Sequence, residues 1–573
     1  MTVADKPVQQ PGMENGAWRS RSTVEGPMRV ANRMHLRATG LDDEAIAKPF
    51  VGVIHTHAEV SPCAMSLAPQ AAAAKMGVEV AGGTSREAST VSISDVWTMV
   101  HEQGPQYSLI SRELIADSVE LVLQGQRYDA AVVLGACDKT VPGMLMALTR
   151  VNIPGVYVHG GAALRGWHDG EPVNFYRVFG DMDRVLTGQM GEDELEMLNR
   201  DAMVSVGTCP GLNTASTGAA CAEVMGFSAL GTAAMPAVYS QRLALARKAG
   251  QHAMRLLTEG GPLPRDWVTR ESLENAVTVV AATRGSSNML LHLPAIANEA
   301  GVRFELRDMA EILRRTPRIT SLIPNGPHAL IDLHRIGGLP VIFKALLDGG
   351  LLHPNTVTND GRTLAAALAD VPDPDGTIVR PCNDPFQADS GIAVLAGNLA
   401  PGGCIVKTAD LPALTFAGPA RTFDGDAEAR AGIAAGTFNL GDVIIVRGEG
   451  PRGSPGMREM LDAPMPIRQR GLGSQVALVT DGRWPTGTGG LCVAHVSPEA
   501  TGGGPLALVQ NGDIVRIDAV RGTIDFEVSD AEMQRRRDLL PVSCPSRIGG
   551  VGEKYARLVG PTHLGAPTHS YAR

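Results

Sequence analysis

Aromatic side chains are scarce in this 573-residue sequence, at 4% of the total. Its interior must therefore be packed with Ala, Val, Leu, Ile and Met. A basic excess is absent as well. Against 60 Asp and Glu stand 51 Lys and Arg, a formal net charge of −9, so nothing electrostatic draws the chain to nucleic acid or to an anionic membrane. No apolar run approaches the ~18 residues that span a bilayer. The first residues, MTVADKPVQQPGMENG, lack the basic-then-apolar form of a signal peptide. With only 8 Cys in so long a chain, a disulfide framework is excluded. The expectation is a soluble cytoplasmic protein whose reduced thiols are open to metal.

Gly (66) and Pro (38) are plentiful, yet below the roughly 25–30% share at which disorder becomes the default. The length suggests several domains. In the first two-thirds, strand-like runs (Val51–Ile54, Ala130–Leu134, Gly155–Val158) alternate with helical patterns, which predicts a parallel α/β sheet. One helix is read from Leu114, Ile115, Val119, Val122 and Leu123, with Ser111 as N-cap, and a second from about Arg242 to Leu257.

After about residue 370 the pattern changes. Thr377–Val379, Cys404–Val406, Val443–Val446, Val476–Val479 and Leu506–Val509 read as strands between Gly-rich turns, and Asn511-Gly512 as a hairpin turn. A β-barrel or sandwich follows. The turn-rich Asp370–Asp375 separates an α/β domain, 1–372, from a β-barrel-like domain, 373–573.

Three cysteines share one context. Cys63 follows the first strand, Cys137 the second, and Cys209 the short apolar run Met203–Val206. Loops that leave parallel strands open at one edge of the sheet, so these thiols can meet and suit an iron–sulfur cluster or zinc. Read singly, each is equally a small buried hydrophobe. Cys221, Cys382, Cys404, Cys492 and Cys544 lack that context and read as packing residues. Asp138 and Lys139 directly follow Cys137. That pair offers an oxygen ligand for a hard cation and an amine made reactive by burial, or only a surface ion pair worth under ~1 kcal/mol. Two Gly-rich loops, Gly448–Glu459 and Thr480–Gly490, end in no Walker motif and mark close backbone approach.

Taken in order, RSRSTVEGPMRVANRMHLRATGL, YSLISRELIADS, GACDKTVPGMLMAL, GSSNMLLHLPAIANEAGV, DLHRIGGLPVIFKALL, GEGPRGSPGMREML, ALVTDGR and HVSPEATGGGPLALVQNGD resemble the dihydroxy-acid dehydratase / 6-phosphogluconate dehydratase family along nearly the whole chain. The resemblance implies a lyase that removes water from a 2,3-dihydroxy carboxylic acid to leave a 2-keto acid. It also implies an N-terminal three-layer α/β domain, a β-barrel-like C-terminal domain that closes the site, and a homodimer or homotetramer. Carried over residue by residue, Cys63, Cys137 and Cys209 match the ligands of a [2Fe-2S] cluster. Asp95, Asp138 and Glu459 match the Mg2+ ligands, and Lys139 matches the carbamylated lysine.

Three positions depart from the family pattern. The serine taken to be the base falls on Pro485, which leaves Thr486 and Thr488 as the nearest hydroxyls. Trp97 follows Asp95-Val96 where the family has Asp-Gly-Ile, and Arg284–Asn288 replaces a Gly-Gly-Ser-Thr-Asn run. MREML and HVSPEA favour a substrate of the 2,3-dihydroxy-3-methylbutanoate type. A sugar-acid (aldonate) dehydratase and a paralogue that has lost catalysis are the alternatives.

Overall fold

The run Phe50–His55 is apolar on both faces, and it forms a strand (β1) buried along its whole length. Burial on both faces is what a parallel sheet covered by helices requires. β2 (Thr84–Ser89), β3 (Ala130–Gly135) and β4 (Gly155–His159) complete that sheet in the order β2-β1-β3-β4, every pair parallel. The computed structural model describes residues 13–14, 17–99, 101, 103–484, 490–540 and 548–570.

Helices α1 (Pro62–Met65) and α2 (Leu67–Val80) follow β1, while α3 (Asp95–Thr98) and α4 (Gly104–Gly125) connect β2 to β3. Next come α5 (Thr140–Val151), α6 (Phe175–Leu186), α7 (Thr214–Met225), α8 (Gln241–Thr258), α9 (Arg270–Thr283) and α10 (Met289–Ala300). The second helix read from sequence is α8. The first is longer than its pattern predicts. It starts at Gly104 with Pro105 in its first turn, so Ser111 lies inside the helix and donates to the Ser108 carbonyl.

The C-terminal half is one mixed sheet of β5 (Ile392–Leu395), β6 (Gly403–Lys407), β7 (Thr415–Asp424), β8 (Val443–Arg447), β9 (Ala477–Thr480), β10 (Cys492–Ser497), β11 (Ile514–Asp518) and β12 (Thr523–Phe526). Its order is β12-β11-β7-β8-β9-β10-β6-β5, parallel from β7 through β10 and antiparallel elsewhere. The two edges meet where Ala396 bridges Thr523, which nearly closes a barrel. Alternation along β8 shows why both faces are apolar. Val443 and Ile445 enter the barrel core with Val479, Val493, Ile517 and Phe526, whereas Ile444 and Val446 join the core shared with the α/β half. The expected fold class is observed. Among the described residues no helix is long and apolar enough to cross a membrane.

Two expected strands are absent. Thr377–Val379 contributes only an isolated bridge, Val379 to Thr320, because the Asp375 carboxylate takes the amides of Ile378 and Val379. Leu506–Val509 falls largely in a 3-10 turn, Pro505–Leu508. There Arg447 takes the carbonyls of Ala507 and Val509, and Arg536 takes that of Leu508, so no ladder can form. Asn511-Gly512 is a turn, with Gly512 at φ +91°, but it leads from this segment into β11 rather than joining two paired strands.

Candidate active site

Three of the four parallel strands lead into candidate residues at their C-terminal ends, the edge where open α/β sheets place ligands. Asp95 opens α3 after β2, Cys63 lies in α1 after β1, and Cys137-Asp138-Lys139 links β3 to α5. The third thiol arrives by another route. Met203–Val206 is no strand. Instead Thr208 forms a parallel bridge with Ala162, just beyond β4, and Cys209 follows it. Pro62 accepts the Gly207 amide at 2.9 Å, which ties the loops of Cys63 and Cys209 together. The Thr140 hydroxyl accepts the amides of Ala136 and Cys137 and fixes the turn that presents Cys137.

The thiols are close enough to perturb one another. A hydrogen bond with Cys137, burial, and the charges of Cys137 and Cys209 push the Cys63 thiol well above its usual range. Burial, then Asp138 and Cys137, push Cys209 up to about 12. Each of the three thiols thus lies within electrostatic reach of another. Of the remaining cysteines, Cys221 and Cys404 are buried in the cores, and Cys544 lies outside the described residues.

Beside them the carboxylates gather. Lys139 Nζ donates to Asp95 Oδ2 at 2.7 Å, both side chains nearly inaccessible, and the Ser108 hydroxyl donates to Asp95 Oδ1. Burial alone would raise the Asp95 carboxyl, but the Lys139 ammonium outweighs it and holds the group below its usual range. Asp138 accepts the Ala215 amide at the start of α7 at 3.1 Å. Burial and then the neighbouring Asp95 carboxylate push Asp138 up to about 7, with Glu459 adding in the same direction. Mutual repulsion of this kind is relieved when a cation binds between the groups.

Glu459 comes from the other half of the chain. The loop that carries it, Gly448–Glu459, hangs on two buried carboxylates. Asp481 accepts the amides of Gly448, Glu449 and Ala500, and Glu499 accepts those of Arg452 and Gly453. Gly456 then passes against α4. It sits at φ +98°, and a Cβ there would lie 1.9 Å from the Gln106 carbonyl oxygen. Only glycine lets the loop approach α4 this closely. Arg483 Nη1 stands 3.1 Å from Glu459 Oε2, an oxygen that is buried without a hydrogen bond.

Among the described residues no three His, Cys, Asp or Glu side chains are already closed around a point that would hold one metal ion. Asp95 is turned to Lys139 and Glu459 to Arg483 instead. The donor types nevertheless fit two groups. Soft thiols on one side suit an iron–sulfur cluster, and crowded carboxylates with an orphaned Glu459 oxygen on the other suit a hard divalent cation.

Several further residues border the site without having been singled out in the sequence. Tyr176, in α6, donates to Asn213 and feels the charges of Cys209, Asp138 and Glu459. Lys407 ends β6, where burial lowers its amine while Glu459 and Cys492 oppose the shift. His495, held down to about 3 by burial and by Arg483 and Lys407, is neutral. None of the family-like motifs holds Tyr176 or Lys407, and His495, although it opens HVSPEATGGGPLALVQNGD, is not pointed to as a site residue by spacing alone. Thr486 and Thr488 lie outside the described residues, as does Pro485. Trp97 is 66% exposed.

The chain is similar to known proteins along nearly its whole length. The model of the dihydroxy-acid/6-phosphogluconate dehydratase N-terminal domain matches residues 48–367, and that of the C-terminal domain matches residues 377–566. "Dihydroxy-acid dehydratase 2" of Bordetella bronchiseptica is 49% identical over 552 residues, 96% of this chain and 97% of that protein. "Dihydroxy-acid dehydratase 3" of Bradyrhizobium diazoefficiens is 45% identical, covering 96% and 94% of the two chains. The "Dihydroxy-acid dehydratase" of Parvibaculum lavamentivorans is 45% identical, covering 96% of each. The chain belongs to the dihydroxy-acid/6-phosphogluconate dehydratase family.

Proposed function

We propose that this protein is a hydro-lyase that removes water from a 2,3-dihydroxy carboxylic acid of the 2,3-dihydroxy-3-methylbutanoate type, giving a 2-keto acid for branched-chain amino-acid synthesis. The observation that carries the reading is the junction after β3, where the Cys137 thiol borders Asp138 and Lys139, with Asp95 2.7 Å from the lysine. Thiols therefore face one end of a small acid and carboxylates the other. The identity to proteins named dihydroxy-acid dehydratase over 96% of the chain supports this substrate class over a sugar acid.

In this reading Cys63, Cys137 and Cys209 hold a [2Fe-2S] cluster, and Asp95, Asp138, Glu459 and a carbamylated Lys139 hold Mg2+. Bound there, the cluster would supply a Lewis-acidic iron for the leaving C3 hydroxyl, and magnesium a charge to steady the acid as its C2 proton is lost. Carbamylation takes one proton from the Lys139 ammonium, joins the freed amine to CO2 and releases a second proton, so that an anionic oxygen ligand replaces a buried cation. The barrel half seats Glu459 over the α/β half, so closure of the two halves completes the carboxylate set and excludes water. With Lys139 carbamylated, neutral His292 and His495 leave the cationic work to Lys407 and Arg483. The C2 proton goes to an alkoxide of Thr486 or Thr488, since Pro485 has no ionisable group. The alkoxide becomes the hydroxyl and gives the proton on to the departing hydroxide, which leaves as water. The enzyme acts in the cytoplasm as a homodimer or homotetramer, as in the family.

Anaerobic purification followed by a 2-keto acid assay tests this reading, with 2,3-dihydroxy-3-methylbutanoate, pentonates and hexonates as substrates. Turnover of the branched acid supports it. Turnover of a sugar acid alone reverses the ranking, and metal-loaded protein without activity on any of them marks a paralogue that has lost catalysis.

A further inference from the structure

Arg483 is buried to 1% exposure between the two halves of the site. Its backbone is locked beside Glu459: its amide donates to the Arg458 carbonyl, and its own carbonyl accepts from Met460. Nε donates to the Met457 carbonyl at 2.9 Å, which fixes one edge of the guanidinium. The other edge is unspent. Nη1 lies 3.1 Å from Glu459 Oε2 but is not aligned for a hydrogen bond, and Nη2 has no partner among the described residues.

Leaving donors of a buried guanidinium unmade is costly. Arg112, equally buried, shows the usual solution, since it bonds Glu113, His292 and the carbonyls of Gly565 and Ala566. Arg483 instead keeps its fork toward the space it shares with Glu459, and its charge is felt at Asp95. A planar fork whose two terminal nitrogens have no hydrogen-bond partner among the described residues matches the carboxylate of a dihydroxy acid.

We propose that Arg483 is a substrate-binding residue that receives one oxygen of the acid's carboxylate. It rests on the reading of Asp95, Asp138 and Glu459 as one site. The contact fixes the acid's carboxylate end and answers the negative charge that grows there as the C2 proton leaves. Because Nε and the backbone already hold the group, little ordering is needed when substrate arrives.

The test uses the anaerobic holoenzyme, its R483Q and R483K variants, and calorimetric titration with 3-methyl-2-oxobutanoate and with its primary amide. The wild type should bind the acid at least roughly 30-fold more tightly than the amide. R483Q should lose that preference and raise KM by a similar factor, with iron and magnesium contents unchanged. R483K should retain part of the preference, since it keeps the charge and loses the fork. If R483Q does not fold, R483K decides alone. An acid-to-amide ratio equal to wild type in either variant overturns the proposal, and lost magnesium with that ratio intact would mean that Arg483 only orients Glu459. Wild-type protein with no preference for the acid overturns it as well. Turnover of the branched acid by that same preparation would leave the wider reading standing, and absence of turnover would remove both.

Discussion

Lys139 Nζ stands 2.7 Å from Asp95 Oδ2, although 44 residues separate them in the chain. The contact joins the ends of two strands, β2 and β3, that are not neighbours in the sheet, since β1 lies between them. It places an amine where a carboxylate needs a cation, and the site is built around that need.

Removing an oxygen ligand should therefore act on metal before fold. In Asp95→Asn and Glu459→Gln, magnesium affinity should fall by at least roughly 10–100-fold. Magnesium titration of activity, with circular dichroism as the check on folding, reads this out. Unchanged magnesium dependence would remove both residues from the ligand set.

Cys137 has little packing freedom, being 4% exposed and held by Thr140. Cys137→Ser should bleach the visible absorbance of the anaerobic protein and lower its iron content, while the helical signal persists. Colour equal to wild type would count against a ligand role.

If a threonine alkoxide takes the C2 proton, Thr486→Ala or Thr488→Ala lowers turnover by roughly 10²–10⁴ with the cluster intact. Full activity in both variants places the base elsewhere.

Gly456→Ala should push the Glu459 loop away from α4, because the new Cβ meets the Gln106 oxygen and the backbone is left-handed there. A displacement of about 1 Å at Glu459 costs on the order of 100-fold in kcat. Steady-state kinetics on the folded variant checks this.

The end of the chain is fastened by a pH-dependent pair. His569 Nε2 lies 3.1 Å from Glu299 Oε1, and the hydrogen bond with Glu299 raises the imidazole above its ordinary value of 6.5. A raised folded-state value means the contribution is complete below the unfolded pKa and is lost as pH rises through the folded one. His569→Gln should thus lower Tm by roughly 1–2 °C near pH 5.5 and leave it unchanged near pH 9. The same loss at both pH values would show that charge plays no part.

The sequence announces the α/β half through its alternation of apolar runs and helices, and Cys63 and Cys137 through their places after β1 and β3. Cys209 is harder to place, because a single bridge from Thr208 to Ala162, not a strand, brings it to the sheet edge. Leu506–Val509 has strand composition, but two arginines from elsewhere capture its carbonyls, which no local pattern encodes. Arg483 and Ser108 escape notice for the same reason. An Arg after Asp-Gly and a Ser inside a helix are ordinary until folding sets them against Glu459 and Asp95.

The central claim is that thiols and carboxylates from the two halves form one reaction site. Its most direct test is metal content measured against turnover in one anaerobic preparation. The account predicts about two iron atoms and about one magnesium per chain, with conversion of 2,3-dihydroxy-3-methylbutanoate falling in proportion as either metal is withdrawn. Undiminished conversion by protein stripped of both metals would contradict it.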